Sequence, residues 1–158
     1  MLDVKIVCVG KLKEKYWTEA VNEYSKRLSA FCKFSIIELN EAHLPQDPNA
    51  SQIEKALGEE AENIAAQLKR CAVYTLCIEG KPISSEQLAA ELENTALSGS
   101  SSVAFVIGSS HGLHDSIKKM GKRISMSPMT FPHQLARVML CEQIYRAFSI
   151  QAGTKYHK

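Results

Sequence analysis

The stretch Val103-Ala104-Phe105-Val106-Ile107-Gly108 decides which fold the sequence predicts. Its five consecutive apolar residues, ended by a glycine, are typical of a short strand that is buried on both faces. Such strands occur in parallel sheets, because the helical crossovers that connect parallel strands cover both faces. We therefore expect an α/β protein with a mostly parallel sheet and helices on both of its faces.

Strand and helix patterns alternate on either side of this stretch. The predicted strands cover residues 4–9, 31–39, 72–78, 103–107 and 122–126, and the predicted helices cover 14–30, 51–70, 85–97, 114–120 and 132–152. Ser51 and Glu54 form the pattern of a capping box at the second helix, and Ser84 or Ser85 caps the third. The order βαβαβαβαβα, without repeats or low-complexity tracts, predicts one domain over residues 1–158.

Length and composition exclude several classes of protein. The chain of 158 residues has no apolar run near the ~20 residues that cross a bilayer, and its N-terminus lacks the basic flank and cleavage site of a secretory signal. Its five cysteines are an odd number without a C-x-x-C pair, which argues against a disulfide framework and a zinc knuckle. We expect a reduced, soluble, cytoplasmic protein that binds neither a membrane nor a metal ion.

Positive charge is concentrated in the last third of the chain. Residues 101–158 carry eight Lys and Arg against two Asp and Glu, whereas residues 41–100 carry four against ten. A basic C-terminal third favours contact with phosphates. The alternative is an ordinary solvated surface that the acidic middle of the chain balances.

The sequence lacks several common nucleotide-binding and hydrolase motifs. It contains no G-x-G-x-x-G after the first strand, no G-x-x-x-x-G-K-[ST] and no G-x-S-x-G. These absences argue against a standard dinucleotide-binding fold, a P-loop NTPase and a serine hydrolase. His111 and His114 have no carboxylate or cysteine at ligand spacing, which argues against a metal site.

Ligands of parallel α/β sheets bind beyond the C-terminal ends of the strands, and three segments of the sequence are expected there. They are residues 76–81, residues 108–112 and the loop 125–134. Gly108 lets a ligand approach the backbone, and Met126 and Phe131 can form apolar walls around an adenine whose edge bonds to free backbone groups. Alternatively, the second segment is an ordinary turn and the side chains of the third fill the core.

The last predicted helix and the end of the chain carry groups that suit RNA. His133 and Arg137 are one helical turn apart, as are Glu142 and Arg146. Tyr156-His157-Lys158 adds a phenol for stacking, an imidazole for proton exchange and an ammonium for phosphate contact. The alternatives are a surface ion pair and a frayed terminus.

Together these motifs resemble the ribosomal RNA large subunit methyltransferase H family of the SPOUT superfamily. The resemblance covers essentially the whole chain, through VGKLKEKYW (9–17), FVIG (105–108), HGL (111–113), MTFPHQ (129–134), EQIYRAF (142–148) and YHK (156–158). It implies that S-adenosylmethionine binds in a C-terminal trefoil knot and that the protein is a homodimer whose sites are completed across the interface. It also implies methylation of N3 of a pseudouridine in the 23S rRNA of the assembled 70S ribosome. A non-catalytic ribosome-associated nucleotide-binding factor and a methyltransferase of a different RNA are the alternatives.

Three groups of residues have expected roles, and the first of them is carried over by position from the resemblance. Cofactor contacts fall on Leu76, Gly108, Met126, Ser127, Pro128, Met129, Thr130 and Phe131. From the chemistry of the implied reaction we expect a catalytic set of His157, Tyr156, Arg146 and His133, in which His157 is favoured as the base over His133 and solvent. The expected RNA-binding set is Lys118, Lys119, Lys122, Arg123, Arg137 and Lys158. Ser109 and Pro128 depart from the family pattern, which usually has a second glycine and no proline at these positions.

Overall fold

The computed structural model describes residues 1–158. Five strands alternate with five helices in the predicted order. The strands are β1 (Asp3–Val9), β2 (Lys33–Leu39), β3 (Ala72–Pro82), β4 (Ser102–Ile107) and β5 (Lys122–Ser125). The helices are α1 (Lys15–Leu28), α2 (Ala50–Ala66), α3 (Ser85–Leu97), α4 (Asp115–Lys118) and α5 (His133–Gln151).

All five strands form one sheet in the order β2-β1-β4-β3-β5, and every neighbouring pair is parallel. β4 is the central strand, and its residues from Val103 to Ile107 are at most 6% exposed. Cys8 pairs with Ile107, so the C-terminal ends of β1 and β4 lie side by side. The expectation of a parallel sheet around this stretch is confirmed.

Helices cover both faces of the sheet, as expected. Val103, Phe105 and Ile107 belong to a core that α1, α3 and α5 also form. The alternate residues Ala104 and Val106 belong to a second core, to which α2 and α4 contribute. Because successive side chains of a strand point to opposite faces, a strand that is apolar at every position can serve both cores.

The start of α2 differs from the prediction. Asn49, not Ser51, is the N-cap: its side chain accepts a hydrogen bond from the Gln52 N–H at 2.8 Å, and Gln52 Oε1 accepts one from the Asn49 N–H at 2.9 Å. The capping box is therefore formed two residues earlier, because the extended backbone that a cap requires occurs at Asn49. Glu54 instead lies 2.8 Å from the imidazole of His114.

β3 continues past Ile78, where the sequence predicted its end. Leu76 and Lys81 both pair with Ile124 of β5, so the residues between them bulge out of the ladder. Gly80 permits this path, because a Cβ there would lie only 2.7 Å from the backbone of Ile124. β3 therefore contacts β5 along two segments, and the bulge lies between them.

No helix of the chain combines the length and the apolar character needed to span a bilayer. The five cysteines are free thiols, and Cys8, Cys32 and Cys141 are buried. Burial is the main cause that raises the pKa of Cys8 to about 11 and the pKa values of Cys32 and Cys141 to about 12. These three thiols therefore stay protonated at neutral pH and pack as small apolar side chains.

Candidate active site

The three segments that the sequence placed at strand ends meet around one cavity. This strand-end cavity has a volume of about 140 Å³ and lies beyond β3, β4 and β5. Its lining includes Leu76, Gly108, Met126, Ser127 and Phe131. The position follows from the topology, because the C-terminal ends of parallel strands emerge at the same edge of a sheet.

Backbone forms the wall of the strand-end cavity at the end of β4. The Gly112 N–H donates a hydrogen bond to the Ser109 carbonyl at 2.9 Å, which closes a tight turn. A Cβ on Gly108 would lie 2.2 Å from the Gly112 carbonyl oxygen, so only glycine fits there. Gly112 itself has a φ of +88°, which favours glycine. The turn therefore brings peptide groups, rather than side chains, up to the cavity.

The loop after β5 supplies another wall of the strand-end cavity. Ser127 Oγ accepts a hydrogen bond from the Met129 N–H at 3.0 Å, which orders the loop. Met126 and Phe131 are half-buried and line the cavity, so they are available to a ligand rather than enclosed in the core. Three residues predicted to contact the cofactor are exposed and do not line the cavity: Pro128, Met129 and Thr130.

The composition of the strand-end cavity fits part of a nucleoside ligand such as S-adenosylmethionine. Peptide groups can bond to a purine edge, while Leu76, Met126 and Phe131 offer apolar contact to the ring. The Gly112 backbone already fills the position that a Cβ on Gly108 would occupy, so glycine at position 108 permits the tight turn that carries these peptide groups. Pockets that enclose a whole small ligand measure roughly 300–1,000 Å³, so this cavity would hold one part of the molecule. No group of three or more His, Cys, Asp and Glu side chains lies together as metal ligands do.

A polar cluster forms where the end of the chain folds back onto α5. Arg146 Nε and Nη2 donate to Glu142 Oε1 at 2.9 and 2.6 Å. The Tyr156 hydroxyl donates to the same oxygen at 3.1 Å, and the guanidinium lies 4.7 Å from the Tyr156 ring centre. His157 Nδ1 lies 3.1 Å from Arg146 Nη1, and its Nε2 lies 2.7 Å from Glu86 Oε1. We call Arg146, Tyr156 and His157 the tail cluster.

The packing of the tail cluster sets two protonation states. Burial, followed by the hydrogen bond to Glu142, raises the pKa of Tyr156 to about 12. The hydrogen bond to Glu142 also raises the pKa of the Arg146 guanidinium above its usual value. At neutral pH the phenol is therefore uncharged and the guanidinium is positive. Tyr156 can stack or donate a hydrogen bond, but it cannot accept a proton as a base.

His133, the fourth residue predicted as catalytic, lies apart from the tail cluster. It begins α5 and lines the strand-end cavity. Arg146 follows thirteen residues later in α5, which at about 1.5 Å per residue is about 20 Å along the helix. No member of the tail cluster lines the strand-end cavity. One chain thus brings His133 to the cavity and gathers the other three residues near the far end of α5.

Of the six residues predicted to bind RNA, five lie at the surface, and two of those five form ion pairs with glutamates. Lys118 Nζ lies 2.5 Å from Glu79, and Lys122 Nζ lies 2.8 Å from Glu91. Each carboxylate raises the pKa of its lysine, so both ammonium groups stay charged but are partly neutralised locally. The residues that are exposed and outside any ion pair are Lys119, Arg123 and Lys158.

The prediction that Arg137 contacts RNA is wrong. Its side chain is 1% exposed, because this face of α5 packs against the sheet. Its Nη1 donates to Glu38 Oε2 at 2.7 Å and its Nη2 donates to the Gly10 carbonyl at 3.0 Å. Helical spacing correctly placed Arg137 near His133, but it did not show that this face points inward.

Neither Ala136 nor Cys77 was named as a contact residue from the sequence, yet both line the strand-end cavity. Cys77 is half-buried. The position of Cys77 directly after Leu76 was a usable signal, since the end of β3 was already predicted as a binding segment. Ala136 follows His133 by three residues in α5, a spacing that places both on one side of the helix.

Comparison with known sequences links the whole chain to one family. A family model described as "Predicted SPOUT methyltransferase" matches residues 2–157. The protein named ribosomal RNA large subunit methyltransferase H from Pediococcus pentosaceus is 48% identical over 159 aligned positions, which cover 99% of this chain and 100% of that protein. The similarity therefore extends over both chains almost from end to end.

Solved structures with low sequence identity share the fold. A probable methyltransferase from Bordetella pertussis superposes with a TM-score of 0.56 at 14% identity, over 93% of this chain and 95% of that chain. A probable methylase family protein from Haemophilus influenzae gives a TM-score of 0.54 at 15% identity, over 100% of this chain and 72% of that chain. At these identities the likeness concerns the backbone architecture alone.

Proposed function

Because the chain belongs to the SPOUT methyltransferase family, we propose that it transfers a methyl group from S-adenosylmethionine to N3 of a pseudouridine in large-subunit ribosomal RNA. The observation that carries the proposal is the 48% identity, over essentially both full lengths, to a relative named as a ribosomal RNA large subunit methyltransferase. The structure supports it with a cavity of suitable chemistry at the expected edge of the sheet.

The strand-end cavity would hold the methyl donor. Peptide groups of the turn that begins at Gly108 would bond to the adenine edge, and Leu76, Met126 and Phe131 would pack against the ring. S-adenosylmethionine, when bound, supplies a methyl group already activated by its sulfonium. The main task of the protein is then to hold N3 in line with that group. The exposed residues Pro128, Met129 and Thr130 are proposed to contact the part of the donor outside the cavity.

Residues of the tail cluster, with His133, are proposed to manage charge and protons at N3. N3 of a pseudouridine carries an imide proton, and its loss spreads negative charge over the flanking carbonyl oxygens. The Arg146 guanidinium would stabilise that charge, and His157 or His133 would accept the proton. Tyr156 stays protonated at neutral pH, so its role is to stack on or orient the base.

The proposed reaction needs two copies of the chain. The tail cluster and the strand-end cavity are separated by about 20 Å along α5, too far for one bound nucleotide to touch both within a chain. In a homodimer, the tail cluster of one protomer can complete the strand-end cavity of its partner. We propose this composite arrangement for a cytoplasmic homodimer that acts on the assembled 70S ribosome.

We also propose that the C-terminal half of the chain forms a trefoil knot. The support is the register of β3 against β5: Leu76 and Lys81 both pair with Ile124, and Gly80 lies so close that a Cβ on it would be 2.7 Å from the Ile124 backbone. Joining the two ends of the chain enzymatically and then denaturing the product provides a test. A knotted ring should migrate through a gel differently from an unknotted ring of equal length.

The test of the function uses ribosomes from a strain that lacks this methylation. The purified protein is incubated with them and with isotopically labelled S-adenosylmethionine, and the modified nucleotide is mapped by mass spectrometry. We expect label on N3 of one pseudouridine of 23S rRNA. Label on another RNA would overturn the substrate, and donor binding without transfer would indicate a non-catalytic ribosome-associated factor.

His157→Ala and His133→Ala, measured in the same assay, address the choice of base. The variant that removes the base should keep its affinity for the donor and lose most of its turnover, with a changed dependence of kcat on pH. If both variants keep the pH profile of the unmodified protein, solvent accepts the proton and neither histidine is the base.

A further inference from the structure

A second cavity adjoins the strand-end cavity and plays no part in the function proposed above. It has a volume of about 240 Å³ and lies at the C-terminal ends of β1 and β2. We call it the Lys11 cavity. His133 lines both cavities and therefore stands between them. The side chains relevant to the argument are those of Lys11, Lys13, Asn40, Glu41, His133 and Gln134.

The loop that carries Lys11 and Lys13 is held in place by the buried Arg137 and by Glu38. Arg137 Nη2 donates to the Gly10 carbonyl at 3.0 Å, and Arg137 Nη1 donates to Glu38 Oε2 at 2.7 Å. The same Glu38 oxygen accepts a hydrogen bond from the Leu12 N–H at 3.2 Å. Because Arg137 belongs to α5 and is 1% exposed, it ties the loop to the helix that also carries His133.

The charges of the Lys11 cavity are available to a ligand. Lys11 and Lys13 are exposed, and neither forms an ion pair, unlike Lys118 and Lys122. The carboxylate of Glu41 lies beside Gly10, where a Cβ would be 2.9 Å from Glu41 Oε1. The Lys11 cavity thus combines two free ammonium groups with hydrogen-bond acceptors and donors on its wall.

We propose that the Lys11 cavity binds the RNA strand next to the nucleotide that is methylated. Lys11 and Lys13 would contact its phosphates, and Glu41 would accept a hydrogen bond from a ribose 2′-hydroxyl, a group that RNA has and DNA lacks. The amides of Asn40 and Gln134 would face a base edge. His133 would then lie between the target base and its neighbour. This inference rests on the proposed function and adds a substrate subsite to it.

The test compares the double variant Lys11→Ala/Lys13→Ala with two matched proteins. Lys55→Ala/Lys69→Ala removes the same charge from exposed positions on α2 and just after it. Lys11→Arg/Lys13→Arg keeps the charge of the loop. For each dimeric protein, donor affinity is measured by calorimetry, and kcat and KM for undermethylated ribosomes are measured at several salt concentrations.

We expect the loop double variant to raise KM for ribosomes about tenfold and to lower the slope of log KM against log salt concentration by about one to two. The donor affinity of the loop double variant should stay unchanged. The arginine variant and the α2 control should both have the KM for ribosomes of the unmodified protein. An unchanged KM and salt slope in the loop variant, or an equal loss in the α2 control, would overturn the inference.

Failure of the proposed function looks different from failure of this inference. If the unmodified protein does not methylate ribosomes, the function itself is wrong. If it does and the loop variant matches it in KM and salt slope, only the subsite is wrong. A loop variant that loses donor affinity would also reject the subsite, because the loop would then serve the donor.

Discussion

At the scale of single residues, Arg137 connects three parts of the chain. Its guanidinium donates from α5 to Glu38 near the end of β2 and to the Gly10 carbonyl after β1. The two partners differ in burial, because the side chain of Arg137 is 1% exposed and that of Glu38 is 36% exposed. Losing the carboxylate therefore strands a charge in the interior, whereas losing the guanidinium leaves a carboxylate that water can reach.

This asymmetry predicts different costs for the two halves of the ion pair. Glu38→Ala should lower the free energy of unfolding by about 3–5 kcal/mol, because a buried guanidinium loses its charged partner. Arg137→Met, which fills similar space with an apolar side chain, should cost less. Urea denaturation at one protein concentration measures both, and a larger loss for Arg137→Met would contradict the argument.

Gly108 allows a second prediction at this scale. In Gly108→Ala the added Cβ would meet the Gly112 carbonyl oxygen at 2.2 Å, so the turn must open. The backbone wall of the strand-end cavity then moves, and we expect calorimetry to show at least about a tenfold loss of affinity for S-adenosylmethionine, equal to about 1.4 kcal/mol. Ser110→Ala, at an exposed position of the same turn, should bind the donor normally.

The burial of Tyr156 and its hydrogen bond to Glu142 should make the free energy of unfolding depend on pH. Its pKa is raised from about 10 to about 12, so the folded protein holds this proton more tightly than the unfolded chain does. The resulting stabilisation is fully present below pH 10 and is lost as the pH rises towards 12. Tyr156→Phe should remove this part of the pH dependence, and its tyrosinate absorbance titration should lack a phenol that titrates near pH 12.

At the scale of elements, the N-terminus of α2 shows which of two candidate residues caps the helix. Asn49 and Gln52 exchange hydrogen bonds at the N-terminus of α2, while Ser51 lies inside the first turn. Asn49→Ala should therefore destabilise the protein by about 1 kcal/mol, and Ser51→Ala should change the stability by less than about 0.5 kcal/mol. Thermal unfolding of both variants decides between the two caps, and the reverse order would restore Ser51 as the N-cap.

The helices and strands also show which features could be predicted from the sequence and which could not. Apolar runs such as Val103–Ile107 identify strands because burial on two faces requires every position to be apolar. The same reasoning located Gly108 and Met126 at strand ends, and both line the strand-end cavity. Ser51 and Arg137 were misassigned because several residues fit a capping pattern and because helical spacing does not reveal which face is buried. Those choices depend on contacts between elements that are distant in sequence.

At the scale of the whole molecule, α5 separates the two parts of the proposed site. His133 at its first residue faces the strand-end cavity, and Arg146 lies about 20 Å further along the helix beside the C-terminal residues. The Lys11 cavity shares His133 with the strand-end cavity, so donor and RNA subsites would adjoin at one end of the helix. In the proposed homodimer, the partner subunit would bring its tail cluster to that end.

Subunit mixing tests this composite site. The deletion of Tyr156–Lys158 should leave donor binding intact and abolish methylation, whereas Gly108→Ala should keep the tail cluster and methylate poorly at low donor concentration because it binds the donor weakly. The assay uses a donor concentration well below the Kd of Gly108→Ala, so that both variant dimers have little activity. When the two dimers are mixed in equal amounts and exchange subunits, half of the dimers are mixed, and each has one intact site, so methylation should return to about a quarter of the unmodified level. Light scattering must show that both variants are dimers. If both are dimeric and exchange, yet the mixture stays inactive, the cavity and the tail cluster act within one chain.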